Sequence, residues 1–177
     1  MKDLVFIDLE TTGLDSKKDK ITEITIRVGS GEKPTEVLST LLNPGIAIPK
    51  EVSDLTGITN EMVYDKPTFN DIAKHVKYLL KDKIIVGHNV KFDISFLDRA
   101  LLLSGIEIGE PPYICTCETE RNSRGRSGNK LCECLARRGI KTAGFHRSRS
   151  DVEATVNLYN SQVKEGKKIL VKKYSRK

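Results

Sequence analysis

The sequence lacks any long apolar run. None exceeds the four residues of Ala100–Leu103, far short of the ~20 that cross a bilayer. It also lacks the apolar segment that a secretory signal carries after its first basic residue, because Asp3 and Asp8 interrupt the stretch following Lys2. These absences argue against a membrane or secreted protein, so the expectation is a soluble, cytoplasmic chain. No internal repeat and no linker divides the 177 residues, a length suited to one domain with a real core. The four cysteines are poorly spaced for zinc. Cys115 and Cys117, then Cys132 and Cys134, form two Cys-x-Cys pairs, whereas zinc pairs usually leave about two to four residues between ligands. Residues 130–139 read as a helix, in which positions two apart point to nearly opposite sides. Reduced thiols, some of them filling the core, are the expectation.

Acid is scarce at one end. Residues 1–120 carry 14 Lys/Arg and 20 Asp/Glu, a net of −6, while residues 121–177 carry 16 and 4, a net of +12. An acidic part beside a basic part suits a site that holds cations next to a surface that holds a polyanion. The last stretch, Lys167–Lys177, holds six basic residues and no acid, which reads as a mobile tail.

The pattern along the chain is mixed. Lys2–Asp8 reads as a buried strand, and Ile21–Val28 alternates as a second. Glu36–Leu42 follows as a third, so the first part is an antiparallel meander. Helices are expected from Pro49 to Leu55, over Thr68–Leu80 with Thr68 and Asp71 as a capping pair, and over Phe92–Leu103. Short strands are expected at Lys83–Gly87 and Tyr113–Cys115. Arg121–Asn129 reads as a Gly/Ser/Arg loop, and Ser150-Asp151-Val152-Glu153 as a capping box opening a helix that Gly166 ends. Meander strands followed by alternating helices and strands predict an α/β fold, a mixed sheet flanked by helices.

Three motifs carry chemistry. In Phe6-Ile7-Asp8-Leu9-Glu10-Thr11-Thr12-Gly13-Leu14, Asp8 and Glu10 are two apart on a strand and share a face. Paired carboxylates repel, and a divalent cation with a taste for oxygen, magnesium or manganese, relieves them. Thr11-Thr12-Gly13 supplies hydroxyls and backbone N–H groups for a sugar or phosphate. Gly87-His88-Asn89-Val90-Lys91-Phe92-Asp93 places Asp93 at a helix start, where a carboxylate suits the helix dipole. His88 reads as a structural histidine. Phe145-His146-Arg147-Ser148-Arg149-Ser150-Asp151 puts His146 on a loop five residues before Asp151, a placement open to a general base.

Asp-x-Glu, then His-Asn-x-x-Phe-Asp, then His-x4-Asp, in that order, resembles the DEDDh exonucleases, the DnaQ-like branch of the ribonuclease H-like superfamily. The resemblance covers about residues 2–163. Residues 48–63 (Ile-Pro-Lys-Glu-Val-Ser-Asp-Leu-Thr-Gly-Ile-Thr-Asn-Glu-Met-Val) and 130–140 are similar to proofreading exonucleases of bacterial replicative polymerases. It implies a five-stranded ribonuclease H-like mixed sheet, in an exonuclease domain over residues 1–165 followed by a basic tail at 166–177. It implies that Asp8, Glu10, Asp93 and Asp151 hold two divalent cations, Mg2+ or Mn2+, with His146 as the general base. It places Thr11, Thr12, Gly13 and Leu14 at the terminal sugar and base, with Asn89 and Phe92 on the substrate side. The activity implied is removal of nucleotides from a 3′ end as 5′-monophosphates, on DNA before RNA, with a polymerase subunit as a possible partner. RNA-end trimming and a non-catalytic nucleic-acid or polymerase-binding module are the alternatives. The chain departs from the usual pattern at Cys115-Thr116-Cys117, at Ser148 and at Val152, without losing an acid or the histidine.

Overall fold

The structure, a computed structural model, describes residues 3–29, 33–125, 127–142 and 146–176. Lys2, Arg126, Phe145 and Lys177, named above within motifs or elements, lie outside the described residues. Strands β1 (Leu4–Thr11), β2 (Ile21–Val28) and β3 (Thr35–Leu41) form the antiparallel meander. The chain then passes through α1 (Lys50–Thr56), α2 (Asn60–Val63) and α3 (Phe69–Leu80). Strand β4 (Ile84–Gly87), α4 (Lys91–Leu103) and β5 (Pro112–Cys115) extend the sheet in parallel. Helices α5 (Thr116–Arg124), α6 (Leu131–Ala136) and α7 (Ser148–Lys164) follow. Strand β6 (Lys172–Lys173) closes the far edge antiparallel to β5, giving the order β3-β2-β1-β4-β5-β6. The mixed α/β sheet flanked by helices is as the sequence predicts, with one short strand more than the five expected. No helix among the described residues is long and apolar enough to cross a membrane.

Strand β1 is covered on both faces, which is why it reads as an unbroken apolar run. Val5, Ile7 and Leu9 pack with Ile24 and Ile26 of β2, Val76 and Leu79 of α3, and Ile94 and Leu97 of α4. Leu4 and Phe6 face the other way, onto Val86, Ile114 and the Val152 and Val156 face of α7. Phe6 meets Tyr159 edge to face, ring centroids 5.5 Å apart. The even-numbered positions of β1 therefore point toward α7. Continuing that period, Asp8 and Glu10 emerge on the α7 side at the end of the strand.

Four local expectations are corrected. Arg121 and Arg124 stand in the last turn of α5, not in a loop. That helix has little apolar periodicity, and it is stabilised by tertiary contacts around its fully buried Glu120. Helix α6 is shorter than the 130–139 span, ending at Ala136. Helix α7 begins at Ser148, so Ser150 is not its cap. Asp151 instead accepts the backbone N–H of His146, outside the helix, at 2.9 Å. The basic tail is docked: β6 pairs with β5, Lys172 Nζ lies 2.7 Å from Glu118, and Arg176 makes a two-pronged pair with Asp98 at 2.6 and 2.7 Å. The capping pair of α3 is present, with Thr68 N–H donating to Asp71 Oδ2 at 2.8 Å. Cys115, Cys117 and Cys134 are buried free thiols and Cys132 is an exposed one.

Candidate active site

The end of β1 and the first turn of α7 meet. Asp8, Glu10 and Asp151 each offer a carboxylate oxygen, and these oxygens lie within 4.8 Å of one another. Asp93 enters from the first turn of α4 and is 4% exposed. Strand β1 runs to Thr11 while β4 stops at Gly87, so the β4-side edge of β1 is left without a strand partner. Leu9 N–H finds its acceptor in Asp93 Oδ1 at 3.2 Å. One Asp93 oxygen thus ties α4 to β1, and Asp93 flanks the three-carboxylate cluster instead of joining it. The β4–α4 turn that places it needs glycine at Gly87, where a Cβ would stand 2.7 Å from Val90 Cγ2.

The electrostatics show what the cluster lacks. Burial first, then the charges of Asp93, Asp151, Glu10 and Glu23, push Asp8 well above the usual carboxylate range. Burial, with Asp151, Glu23 and Asp93, pushes Glu10 up to about 8, against a smaller opposing pull from Arg147. Asp93 is pushed up to about 8 by burial, despite the backbone N–H groups that favour its charge. Asp151 is raised by burial, with the His146 N–H opposing. Clustered oxygen donors that resist ionising together suit a hard divalent cation, which supplies the missing positive charge. The residues fit such an ion.

Asp8 and Asp151 also line a cavity of about 770 Å³, together with His88, Asn89, Arg121, Lys130, Cys132 and His146. His146 is exposed at this cavity and has a left-handed backbone, φ 64°. Asn89 is likewise left-handed at φ 64° and exposed. His88 holds the wall together. Its Nε2 donates to the Asn129 carbonyl at 2.8 Å, its Nδ1 lies 2.9 Å from Thr116 Oγ1, and burial lowers its pKa. A structural histidine was the sequence expectation.

The turn after β1 is tightly knit. Thr11 Oγ1 donates to Gly13 O at 2.6 Å, while Thr12 Oγ1 accepts Lys20 N–H at 3.0 Å and donates to Asp19 at 3.3 Å. The Thr12 hydroxyl is therefore engaged within the loop. A Cβ on Gly13 would come within 2.4 Å of Asp19 Oδ2, so a side chain there would push the Asp19 carboxylate off Thr12 and the Asp15 N–H. Leu14, next along, is 86% exposed. Phe92 packs on Phe96, ring centroids 4.8 Å apart.

Sequence reasoning missed Glu23. It sits on β2 directly opposite Glu10, is 5% exposed, and bonds Arg147 and the N–H of Ser148. Alternation with Ile24 and Ile26 marks it as pointing away from their core, a face the sequence alone leaves to solvent.

Comparison with known proteins places this geometry. The family profile described as RNase_T, Exonuclease, matches residues 5–159. The chain is 33% identical over 156 residues to the DNA polymerase III subunit epsilon of Aquifex aeolicus, covering 88% of this chain and 77% of that one. It is 36% identical over 153 residues to the 3′-5′ exonuclease DinG of Bacillus subtilis, covering 85% of this chain but only 16% of that protein. Among solved structures, exonuclease X in complex with 5′ overhanging duplex DNA superposes with a TM-score of 0.74 at 25% identity, covering 93% of this chain and 94% of that one.

Proposed function

The chain belongs to the RNase_T exonuclease family, in its DEDDh, DnaQ-like branch, and from that premise we propose that it hydrolyses phosphodiester bonds from the 3′ end of DNA and releases nucleoside 5′-monophosphates. The observation that carries this reading is the convergence of Asp8, Glu10 and Asp151 within 4.8 Å at a cavity that also holds His146. Asp8, Glu10 and Asp151, with Asp93 flanking them, are the residues that would hold two divalent cations, Mg2+ or Mn2+. Such cations stabilise the charge on the attacking and leaving oxygens of an in-line displacement.

His146 takes the proton of the attacking water on its imidazole. Its backbone N–H is tied to Asp151, which keeps the base beside a cation-holding carboxylate. Exposed Leu14 and the Phe92 ring offer apolar surface to the terminal base, and Thr11, Thr12, Gly13 and Asn89 shape the seat of its sugar. Arg121 and Lys130 line the same cavity and meet phosphates, so binding weakens as salt rises. In this reading residues 1–165 are the exonuclease domain and 166–177 a basic tail that docks on it. DNA is preferred over RNA, and a polymerase subunit is the partner class, on the strength of the likeness to an epsilon subunit. The setting is the cytoplasm.

Site-directed variants with 5′-labelled single-stranded DNA and Mg2+, alongside Mn2+ calorimetry, test the assignments. Asp151→Asn should lose cleavage and bind Mn2+ more weakly. His146→Ala should lose about 10²- to 10⁴-fold in rate yet bind Mn2+ as the wild type does. A wild-type rate for His146→Ala removes the base assignment, and wild-type Mn2+ affinity for Asp151→Asn removes the ligand assignment.

A further inference from the structure

A fifth carboxylate belongs to this site without facing its cavity. Glu23 projects from β2 on the same side of the sheet as Asp8 and Glu10, and its Cα pairs in register with that of Glu10. A charge there is costly, since it adds to the repulsion on Asp8, Glu10 and Asp151. What offsets the cost is a set of convergent donors. Glu23 Oε1 accepts from Arg147 Nη2 at 2.7 Å and Nε at 3.1 Å, and Oε2 accepts Ser148 N–H at 2.8 Å. With both oxygens engaged, Glu23 is not a further cation ligand.

Two residues along β2, the Thr25 hydroxyl lies 2.8 Å from that of Ser148 and 3.0 Å from that of Ser39 on β3. Arg147 and Ser148, the residues that join His146 to the body of α7, are thus bolted to the sheet from two positions. On the other side of the same joint, His146 N–H reaches Asp151 Oδ2 at 2.9 Å. The main chain at His146 is therefore set by a clamp at residues 147–148 and a tether to Asp151.

We propose that Glu23 and Arg147 are positioning residues: their forked pair fixes the segment 146–148 against the sheet, so that His146 faces the acidic cluster in one orientation. The proposal rests on the reading of His146 as the base. The two guanidinium nitrogens of Arg147 converge on Oε1, with a longer 3.3 Å contact from Nε to Oε2, while Oε2 takes the Ser148 N–H, so the joint draws on both carboxylate oxygens and on a planar guanidinium. Glutamine at position 23 offers one oxygen to donors that use two, and lysine at position 147 keeps the charge but not the fork.

A double-mutant cycle with His146 tests this. Arg147→Gln and Arg147→Lys are made in the wild type and in His146→Ala, because the Arg147 side chain is 46% exposed and its loss opens no core. Glu23→Gln is the third variant, made in both backgrounds. The readouts are kcat and KM on an oligodeoxynucleotide with saturating Mg2+, Mn2+ affinity by calorimetry, and thermal unfolding. All three variants should lower kcat by roughly 10- to 100-fold with little change in KM or Mn2+ affinity. In the His146→Ala background the same changes should cost less than about twofold, since their effect passes through the missing imidazole. A wild-type kcat for Arg147→Lys would show that charge suffices and overturn the clamp. An undiminished loss in the His146→Ala background would overturn it too, by placing the effect on the acids or the fold. A wild-type rate for His146→Ala alone would instead remove the base reading beneath the proposal.

Discussion

Replacing Glu10 by glutamine should make the cation-free protein more stable while abolishing its activity. The carboxyl of Glu10 is pushed from 4.5 to about 8 by burial and by Asp151, Glu23 and Asp93. A folded-state pKa raised above the unfolded one means that the folded chain binds the extra proton. The associated stability is full below about 4.5 and is lost as pH climbs through about 8. At ~1.36 kcal/mol per pH unit, the full displacement sets an upper bound of roughly 5 kcal/mol at pH 8. Relaxation and partial exposure of the site should leave about 1–3 kcal/mol, or roughly 3–10 °C in Tm for a chain of this size. Thermal unfolding in EDTA at pH 8 should therefore show Glu10→Gln melting above the wild type, and the gap should close near pH 4.5. Added Mg2+ at a hundredfold excess over its Kd should raise the wild type by ~2.7 kcal/mol and the variant by less. A glutamine variant no more stable than wild type in EDTA at pH 8, or equally favoured at pH 4.5, would refute the idea that these acids are held together under strain for a cation.

Two further outcomes follow from the scaffold. Burial would push Glu120 up, but hydrogen bonds from Lys167, Gln162 and Arg138 outweigh it and hold the carboxyl at about 2. Its stabilisation is complete above about 4.5 and fades as pH falls toward 2, and Glu120→Gln should cost about 3–5 kcal/mol in urea unfolding. A cost near zero would mean that the Arg138–Lys167 cluster does not hold α5, α6 and α7 together. Deleting residues 172–177 removes β6 and leaves Asp98, 4% exposed on the helix that carries Asp93, without its Arg176 partner. The truncated chain should lose about 1–3 kcal/mol, and Asp98→Asn should recover part of it. An unchanged Tm on deletion would show that the tail is not docked in solution.

Much of the site was legible from the residues. Period-2 alternation alone puts Asp8 and Glu10 on one face of β1, and the ordered motifs, read through family resemblance, single out Asp93, His146 and Asp151. Tertiary facts account for the rest. That Asp93 uses an oxygen on Leu9 N–H follows from β4 ending before β1, which no local pattern encodes. Glu23 looks like the solvent side of an alternating strand until α7 is laid across it. Helix α5 was hidden because its buried residues, Thr116, Cys117, Thr119 and Glu120, are mostly polar and make no apolar stripe. The tail read as a solvated charge run because its acceptors, Asp98, Glu118 and Glu120, lie far upstream in the sequence. The Ser150–Glu153 capping pattern misplaced the start of α7, since Glu153 pairs with Arg27 of β2 and the helix is anchored two residues earlier, where Ser148 N–H donates to Glu23.

The central claim is that the acidic cluster makes this chain a cation-dependent nuclease working from 3′ ends. The most direct test is digestion of matched DNA and RNA oligonucleotides labelled at the 5′ end, with Mg2+, Mn2+ or EDTA and an Asp8→Ala control. The account predicts a ladder that shortens from the 3′ end, faster on DNA, absent in EDTA and absent with Asp8→Ala. Cleavage that persists in EDTA or in Asp8→Ala, or no cleavage of either polymer with either cation, would contradict it.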